Sequence, residues 1–526
     1  MADLTAWRAL VDKELAGAPF DKLVQRTAEG LAIEPLYVEA PANATRPITT
    51  GARAFRICMR ARRGEAAQHI DGGADALWLD GDDLEGIELA AKRGVHVIVD
   101  QPPTPVRDVD RKTFRAPATC WMSIDPLSHP KLAAILDKYL AAMFAKPASP
   151  VSGDSRPMRV STLAHHAAGA DSADELAFAL STTVAYLRGM TTGPVDLNGA
   201  ASQLWFQIAV GRDTFGELCK LRALRVLAAK LFAASSITAA IPPIHAVTSS
   251  RTQAARDPWV NLLRVTTEVF AAAIGGADLV TPLPFDTELA EPSALGRRVA
   301  RNTALVLRDE SYLGRVIDAA GGSYYIESRT DALAREAWQR FRAIERDGGI
   351  AKLVATGALQ ARLDASWKSR AAAIATRKEP VLGVSEFANL DEKLPSAPAA
   401  TSHGHRDAEA FEALRAKLEG KPKDVVLVAL GTPAESRARV GFAKAVFATA
   451  GVRAREGSID DARDALVCLC GSDDNYAATA ATVAAQLRAA GVTTIALAGK
   501  PSAIAGVDTY ICAGGDVLAA LEELLA

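Results

Sequence analysis

The sequence predicts an α/β protein with two successive domains: a closed (β/α)8 barrel and, after it, a small doubly wound domain. Strand-like apolar runs alternate with helical patterns about eight times from Ala54 onward. A break in composition follows, and a second, shorter alternation begins near Asp424. We therefore assign the barrel with its trailing helices to residues 42–380, a linker to 381–422 and the second domain to 423–526.

Composition narrows the range of partners. The chain has 526 residues, 49% of them hydrophobic, and a net charge of −2 at pH 7. It is long enough for several cores, and its balanced charge predicts neither nucleic acid nor a membrane surface as a partner. Asp3, Asp12 and Glu14 stand where an export signal needs basic and apolar residues, and charges interrupt each apolar segment before membrane-spanning length. We expect a cytoplasmic protein.

The N-terminal residues 1–41 are predicted to form an arm. Leu4–Leu15 has the apolar spacing of a short amphipathic helix, and Leu23–Tyr37 has the pattern of two strands joined by a tight turn at Ala28–Gly30. The apolar face of such a helix needs a surface, which is either the rest of the chain or a partner. We assign the arm and the hairpin to subunit contacts.

Eight apolar runs are candidate barrel strands, and helical patterns separate most of them. The strands are Phe55–Met59, Ala76–Leu79, Val95–Val99, Cys120–Ile124, Met158–Leu163, Leu204–Ile208, Ile241–Val247 and Ala277–Thr281. The helical patterns are Leu84–Arg93, Pro130–Phe144, Ser172–Arg188, Asp213–Ala234, Asp257–Ile274 and, after the last strand, Thr330–Ala375. Eight such repeats favour a closed barrel over an open sheet.

The second domain follows a stretch, Leu394–Arg406, that is rich in Pro, Ala, Ser and Gly and is typical of a linker. A helix is predicted at Ala408–Leu418. The candidate strands beyond it are Val425–Leu430, Ala465–Cys470, Thr494–Ala498 and Thr509–Cys512. A doubly wound domain binds ligands at the carboxyl ends of its strands, so chemistry is expected in the segment LGTPAESRAR after the first strand.

Four long segments carry a family resemblance. They are LVQRTAEGLAIEPLY, GRDTFGELCKLRALRVLAAKLF, RDPWVNLLRVTTEVFAAAIGGADLVTPLPFD and RVARNTALVLRDESYLGRVIDAAGGSYYIES. Together, and in this order, they resemble the methylmalonyl-CoA mutase family. The resemblance covers most of the chain and is weakest between Arg46 and Arg156. It implies an acyl-CoA-binding (β/α)8 barrel followed by a flavodoxin-like (Rossmann-like), cobalamin-binding domain.

The resemblance also shows that the family's cobalt ligand is missing. Catalytic members carry Asp-x-His-x-x-Gly in the first loop of the cobalamin domain, where the imidazole binds cobalt. Alignment on the Leu-Gly pair after the first strand puts Pro433, Glu435 and Ala438 at the Asp, His and Gly positions, and no His follows His405. We therefore expect a degenerate domain that binds no cobalamin. No metal site is assigned, because the His165-His166 pair lacks carboxylate or Cys company in the sequence.

His245 matches the position of the family's active-site histidine, because it precedes Asp257 by twelve residues. In a catalytic chain it would donate a hydrogen bond to the thioester carbonyl. The alternative is a vestigial histidine at a strand end. We favour the vestigial interpretation, because Val247 replaces the family's Gln and no Arg-x-Tyr-Ala-Gly-Phe motif occurs between Arg46 and Arg63. No catalytic residue is assigned.

Bulky residues on the candidate strands indicate whether the centre of the barrel is open or filled. Catalytic relatives need an axial channel for the pantetheine arm, whereas an ordinary barrel packs its bore with large side chains. The strands carry Trp78, Trp121 and Trp205, the last beside Phe206. We predict a filled bore, although period-two alternation leaves open which rings point inward.

The resemblance and these losses together imply the small, non-catalytic subunit of a heterodimeric bacterial enzyme of this family. A homologous large subunit would bind adenosylcobalamin and the acyl-CoA substrate, and would interconvert (R)-methylmalonyl-CoA and succinyl-CoA. Two alternatives stay open: a self-sufficient acyl-CoA mutase with a diverged cobalamin site, and a barrel that binds acyl-CoA without turnover.

Overall fold

The computed structural model describes residues 4–42, 55–100, 120–128, 136–143, 155–289, 291–394, 404–421, 423–463 and 465–525. The chain divides into two compact units. The larger comprises Met1–Ser249, Arg264–Pro284 and Ala294–Ser366, and the smaller comprises Ser250–Leu263, Phe285–Ser293 and Trp367–Ala526. The limits assigned to the arm, barrel, linker and second domain from the sequence remain predictions.

The arm has the two predicted elements. The first helix spans Leu4–Glu14, and a 3-10 turn follows at Phe20–Leu23. Strands β1 (Gln25–Arg26) and β2 (Ala32–Ile33) pair antiparallel. The amphipathic helix and the hairpin are thus confirmed.

The larger unit contains the predicted barrel. Eight parallel strands close on themselves in the order β10-β3-β4-β5-β6-β7-β8-β9. They are β3 (Arg56–Arg60), β4 (Ala76–Asp80), β5 (His96–Asp100), β6 (Cys120–Ile124), β7 (Arg156–Ser161), β8 (Leu204–Val210), β9 (Ile244–Thr248) and β10 (Leu279–Thr281). Leu279 stands opposite Arg56 in the pairing that closes the ring. The (β/α)8 fold is confirmed.

Helices alternate with the barrel strands and continue after them. They span Ala66–Asp71, Leu84–Lys92, Leu136–Met143, Leu163–Ala167, Ser172–Met190, Leu197–Ser202, Thr214–Ala234, Val260–Ile274, Ala294–Leu305, Tyr324–Arg346, Gly349–Thr356 and Ala358–Ala375, with a 3-10 turn at Pro126–Ser128 and a π-helical turn at Val306–Glu310. Four of them begin where an aspartate, at 83, 171, 196 or 213, accepts a backbone N–H from the first turn. Such caps fix where each helix starts.

Several predicted boundaries differ from the structure. Strand β7 spans Arg156–Ser161 rather than Met158–Leu163, and the predicted helical region Thr330–Ala375 is three helices that begin at Tyr324, Gly349 and Ala358. Strand β9 begins at Ile244 rather than Ile241, because Pro242 and Pro243 have no N–H to offer a strand ladder. Of the predicted helix Pro130–Phe144, only part lies in the described residues, and that part is helical. Most of the predicted linker Leu394–Arg406 lies outside them.

The smaller unit is built on a five-stranded parallel sheet in the order β12-β11-β13-β14-β15. Its strands are β11 (Val425–Ala429), β12 (Arg455–Gly457), β13 (Leu466–Cys470), β14 (Thr494–Ala498) and β15 (Thr509–Ile511). Its helices are Glu409–Leu418, Pro433–Thr449, Asp473–Asn475, Ala481–Ala489 and Val517–Leu525, with a 3-10 turn at Asp460–Ala462 and a π-helical turn at Tyr476–Ala480. The doubly wound fold is confirmed. The sequence missed β12, which is short, charged and largely exposed.

Each unit has its own core. In the larger unit, a continuous apolar cluster lies between the strands and the surrounding helices. In the smaller unit, Val425 and Leu427 belong to one core and Val426 and Val428 to another, so the sheet is buried on both faces. Within the described part of the chain, no helix is both long enough and apolar enough to cross a membrane.

Candidate functional site

Inward-facing aromatic side chains fill the barrel bore. Trp121 and Trp205 are fully buried, with ring centroids 5.3 Å apart. They form an apolar cluster of their own with Trp78 and with the smaller residues Cys58, Ala76, Ile98 and Leu279. Phe206 belongs instead to the core outside the strands, since successive strand residues point to opposite faces. The prediction of a bulky bore is confirmed for the three tryptophans, and Phe206 points outward.

His245 lies inside this bore with both ring nitrogens occupied. Its Nε2 is 2.7 Å from the Thr281 hydroxyl, and its Nδ1 is 3.3 Å from the amide nitrogen of Gln207. The Gln207 amide can only donate, so the neutral tautomer carries its proton on Nε2 and donates it to Thr281. Burial, assisted by the charge of Arg159, lowers the pKa of His245 to about 3. The ring is neutral and fully buried, a geometry that fits the vestigial interpretation.

An ion-pair network covers the carboxyl ends of strands β3, β4, β5 and β7. Asp100 accepts hydrogen bonds from Arg60 at 2.6 Å and from Arg159 at 3.2 Å, and Arg60 also pairs with Asp80 at 2.5 Å. Burial acts to raise the pKa of Asp100, but Arg159 and Arg60 outweigh it and hold that pKa below its usual value. The Arg60 guanidinium is thus held by two carboxylates.

One small cavity lies at this end of the barrel, among the residues that the structure describes. A cavity of about 160 Å³ is lined by Trp78, Asp125, Leu127, Arg159, Ser161, Leu163, Ala164, His165, Thr182, Gln207, Ile350 and Val354. Sites for small molecules usually enclose roughly 300–1,000 Å³. This cavity therefore does not accommodate an acyl group together with its pantetheine arm.

A buried polar network that the sequence analysis did not predict is centred on Glu175. The Glu175 carboxylate accepts hydrogen bonds from the Thr162 hydroxyl at 2.9 Å and from Lys220 Nζ at 3.1 Å. His166 is hydrogen-bonded through Nδ1 to the Glu175 carboxylate at 2.8 Å and through Nε2 to the Ser249 hydroxyl at 2.7 Å. All five residues are buried.

The expectation that the His165-His166 pair has no carboxylate company was wrong for His166. Its partner Glu175 lies in the following helix, nine residues further along the chain. A sequence signal did exist: Glu175 and Lys220 are charged residues at positions where the helical pattern calls for apolar ones. Because a buried charge requires a partner, such positions indicate an internal ion pair.

In the smaller unit, Pro433, Glu435 and Ala438, which the sequence resemblance aligns with the family's cobalt-ligand motif, are part of a helix. Pro433 is the first residue of the helix Pro433–Thr449, a position that suits proline because no N–H is needed there. Thr432 and Glu435 form a capping box, in which Glu435 Oε2 accepts the backbone N–H and the hydroxyl of Thr432, each at 2.7 Å. These hydrogen bonds lower the pKa of the Glu435 carboxyl.

This loop does not fit a histidine-ligated cobalamin. The carboxylate of Glu435 is held against the first turn of its own helix, and Ala438 lies further along that helix. The loop is tightly built, because Gly431 has a φ of 83° and a side chain there would overlap Asn475 and Glu435. The sequence places no histidine after His405, so no imidazole is available from elsewhere in this sheet.

Fold and site together define a class of protein: a (β/α)8 barrel with a closed bore and a doubly wound unit whose ligand loop lacks an imidazole. The family model described as methylmalonyl-CoA mutase matches residues 140–466. The chain belongs to the methylmalonyl-CoA mutase family.

Three relatives are described as methylmalonyl-CoA mutase small subunits. The protein of Streptomyces virginiae is 40% identical over 395 residues, which are 70% of this chain and 64% of that protein. The protein of Propionibacterium freudenreichii subsp. shermanii is 35% identical over 66% of this chain and 58% of its own length. The protein of Porphyromonas gingivalis is 28% identical over 98% of this chain and 96% of its own length. The chain thus spans less than two thirds of the first two relatives.

Proposed function

We propose that this chain is the small, non-catalytic subunit of a heterodimeric, cytoplasmic methylmalonyl-CoA mutase. A homologous large subunit would bind adenosylcobalamin and acyl-CoA and interconvert (R)-methylmalonyl-CoA and succinyl-CoA. This chain would support that activity without binding the cofactor itself. The small-subunit names of the three relatives support the proposal.

The capping box at Thr432 and Glu435 is the observation that carries the proposal. A lower ligand for cobalt must project a free donor atom from the loop after β11, and Glu435 uses its carboxylate to close the first turn of a helix. Carboxylate oxygen is also a harder ligand than the imidazole that it replaces. The domain retains its fold but no longer presents a ligand.

The barrel also favours the small-subunit proposal over the two alternatives from the sequence analysis. A self-sufficient mutase and an acyl-CoA-binding barrel both need room for the acyl thioester. Trp121 and Trp205 occupy the bore, and the cavity beyond it measures about 160 Å³. The ring nitrogens of His245, which matches a family active-site position, are hydrogen-bonded to Thr281 and Gln207.

The arm supplies the surface that we assign to the partner. Its helix Leu4–Glu14 buries none of its residues among those described, and Leu4 and Leu10 are 46% and 64% exposed. An amphipathic helix that leaves apolar side chains such as these exposed is suited to pack on another subunit. We propose that residues 1–41 contact the large subunit.

A cofactor titration tests the proposal. Purified chain mixed with adenosylcobalamin should leave the visible spectrum of the free cofactor unchanged. The Glu435→His variant should do the same, because Pro433 and Ala438 keep the segment helical. A matched titration with succinyl-CoA should show no tight binding. A stoichiometric histidine-bound spectrum would favour the self-sufficient mutase, and tight binding of succinyl-CoA would favour the acyl-CoA-binding barrel.

A further inference from the structure

A surface groove of about 610 Å³ lies where three helices of the larger unit end. The helices are Ser172–Met190, Thr214–Ala234 and Tyr324–Arg346. The apolar side chains that line it are Val184, Leu187, Leu197, Leu231 and Phe341. The volume falls within the roughly 300–1,000 Å³ of small-molecule sites, and the groove shares no lining residue with the cavity at the end of the bore.

The rim of the groove carries an excess of positive charge. Arg188, Arg342 and Arg346 line it together with one acidic residue, Glu345. Glu345 is already engaged, because it pairs with Arg188 at 3.1 Å and accepts the Ser181 hydroxyl at 2.5 Å. Three guanidinium groups against one carboxylate leave two positive charges without a counterion in the groove.

The two guanidinium groups without a counterion are those of Arg342 and Arg346. Both are exposed, and neither guanidinium group has a hydrogen bond or an ion pair with any residue that the structure describes. They stand one turn apart on the same helix, so both project from one face toward the same rim. Arg346, the last residue of its helix, also offsets the partial negative charge of the helix end. That effect fades within the last turn, so it does not account for Arg342.

We propose that this groove binds an amphiphilic anion, a small molecule with an aliphatic body and a terminal carboxylate or phosphate. The body would pack on the apolar floor beside Leu231 and Phe341, which removes apolar surface from water. The head group would lie between Arg342 and Arg346, where planar guanidinium groups donate paired hydrogen bonds to carboxylate or phosphate oxygens. The site is separate from the barrel end and from the loop after β11, so it does not depend on the mutase proposal.

Isothermal titration calorimetry of the full chain with octanoate, octyl phosphate and octanol tests the site. We expect saturable binding of at least one of the two anions at one site per chain, and no comparable binding of octanol. Binding of only one anion would identify the head group. The Arg342→Gln, Arg346→Gln double variant should weaken binding by about tenfold or more, since two charge-assisted contacts are lost. A Ser235→Trp variant should block it, because Ser235 lines the groove without belonging to its apolar floor.

The matched control is Arg335→Gln on the same helix. Arg335 is exposed and pairs with Asp331 at 2.7 Å, and it does not line the groove. This variant should bind the anion as the parent chain does. The proposal is overturned if neither anion binds saturably, if octanol binds equally well, or if the Arg342, Arg346 double variant keeps the parent affinity.

Discussion

Replacing Trp205 with alanine tests whether the bore is a packed core rather than a lined channel. Trp205 is fully buried, its ring lies against Trp121, and its Nε1 donates to the Met122 carbonyl at 3.0 Å. Truncating a buried tryptophan costs about 3–5 kcal/mol, because lost transfer free energy and the remaining cavity add. The carbonyl also loses its donor, which costs about 1 kcal/mol more. We expect the larger unit to lose roughly 4–6 kcal/mol of unfolding free energy.

Native-state amide hydrogen exchange measures this loss unit by unit. A chain with two compact units does not unfold in one transition, so a single melting curve would mix their stabilities. The amides of β8 and β9 should lose protection equivalent to the full 4–6 kcal/mol worked out from the cavity and the hydrogen bond. The amides of β13 in the smaller unit should keep theirs.

Trp259→Ala is the matched control for Trp205→Ala. Trp259 is 50% exposed and stacks on Phe285 with ring centroids 4.6 Å apart. Its loss should cost about 1 kcal/mol, the typical worth of an aromatic pair. If Trp205→Ala costs the barrel as little as this, the bore does not depend on its tryptophans and the packed-core argument is wrong.

Three further predictions concern charge and capping. Lys220→Met removes the cation shared by two buried carboxylates and should cost about 3–5 kcal/mol in unfolding experiments, whereas Lys230→Met on the exposed side of the same helix should cost under about 1. The depressed pKa of His245, about 3, stabilises the fold fully above the unfolded pKa and progressively less as the pH falls from about 6.5 toward 3. His245→Gln should therefore flatten the plot of unfolding free energy against pH by up to about 1.4 kcal/mol per unit in that window. Thr432→Ala should destabilise its helix by about 1 kcal/mol and raise the pKa of Glu435 toward its usual value in an NMR titration, unless the capping box contributes nothing.

The fold was predictable because its signals are local. Alternating apolar runs lie in adjacent residues, so the barrel strands could be predicted, and the helices that begin at Ser172 and Thr214 were predicted within one residue of their starts. Strand β12 was missed because three largely exposed residues carry no apolar pattern. Pro242 and Pro243 shortened β9 for a reason that the sequence did contain, namely their missing N–H groups.

The sites were less predictable because they depend on which face a side chain takes and on contacts distant in sequence. Alternation alone did not separate the inward Trp205 from the outward Phe206, since a shift of one residue in register exchanges them. Glu175 and Ser249 meet at His166 only after β7, β9 and a helix have packed. The resemblance predicted from the sequence that Glu435 stands at the cobalt-ligand position, but its capping role became evident only from its hydrogen bonds with Thr432.

The most direct test of the central claim is size-exclusion chromatography with light scattering on the chain alone and co-expressed with a catalytic large subunit. We expect a one-to-one complex that elutes as a single species, with mutase activity dependent on cobalamin bound by the large subunit. Deletion of residues 1–41 should weaken that complex, since the arm helix buries none of its described residues within the chain. A chain that stays a stable monomer or homodimer and does not bind the catalytic subunit would contradict the proposed heterodimer.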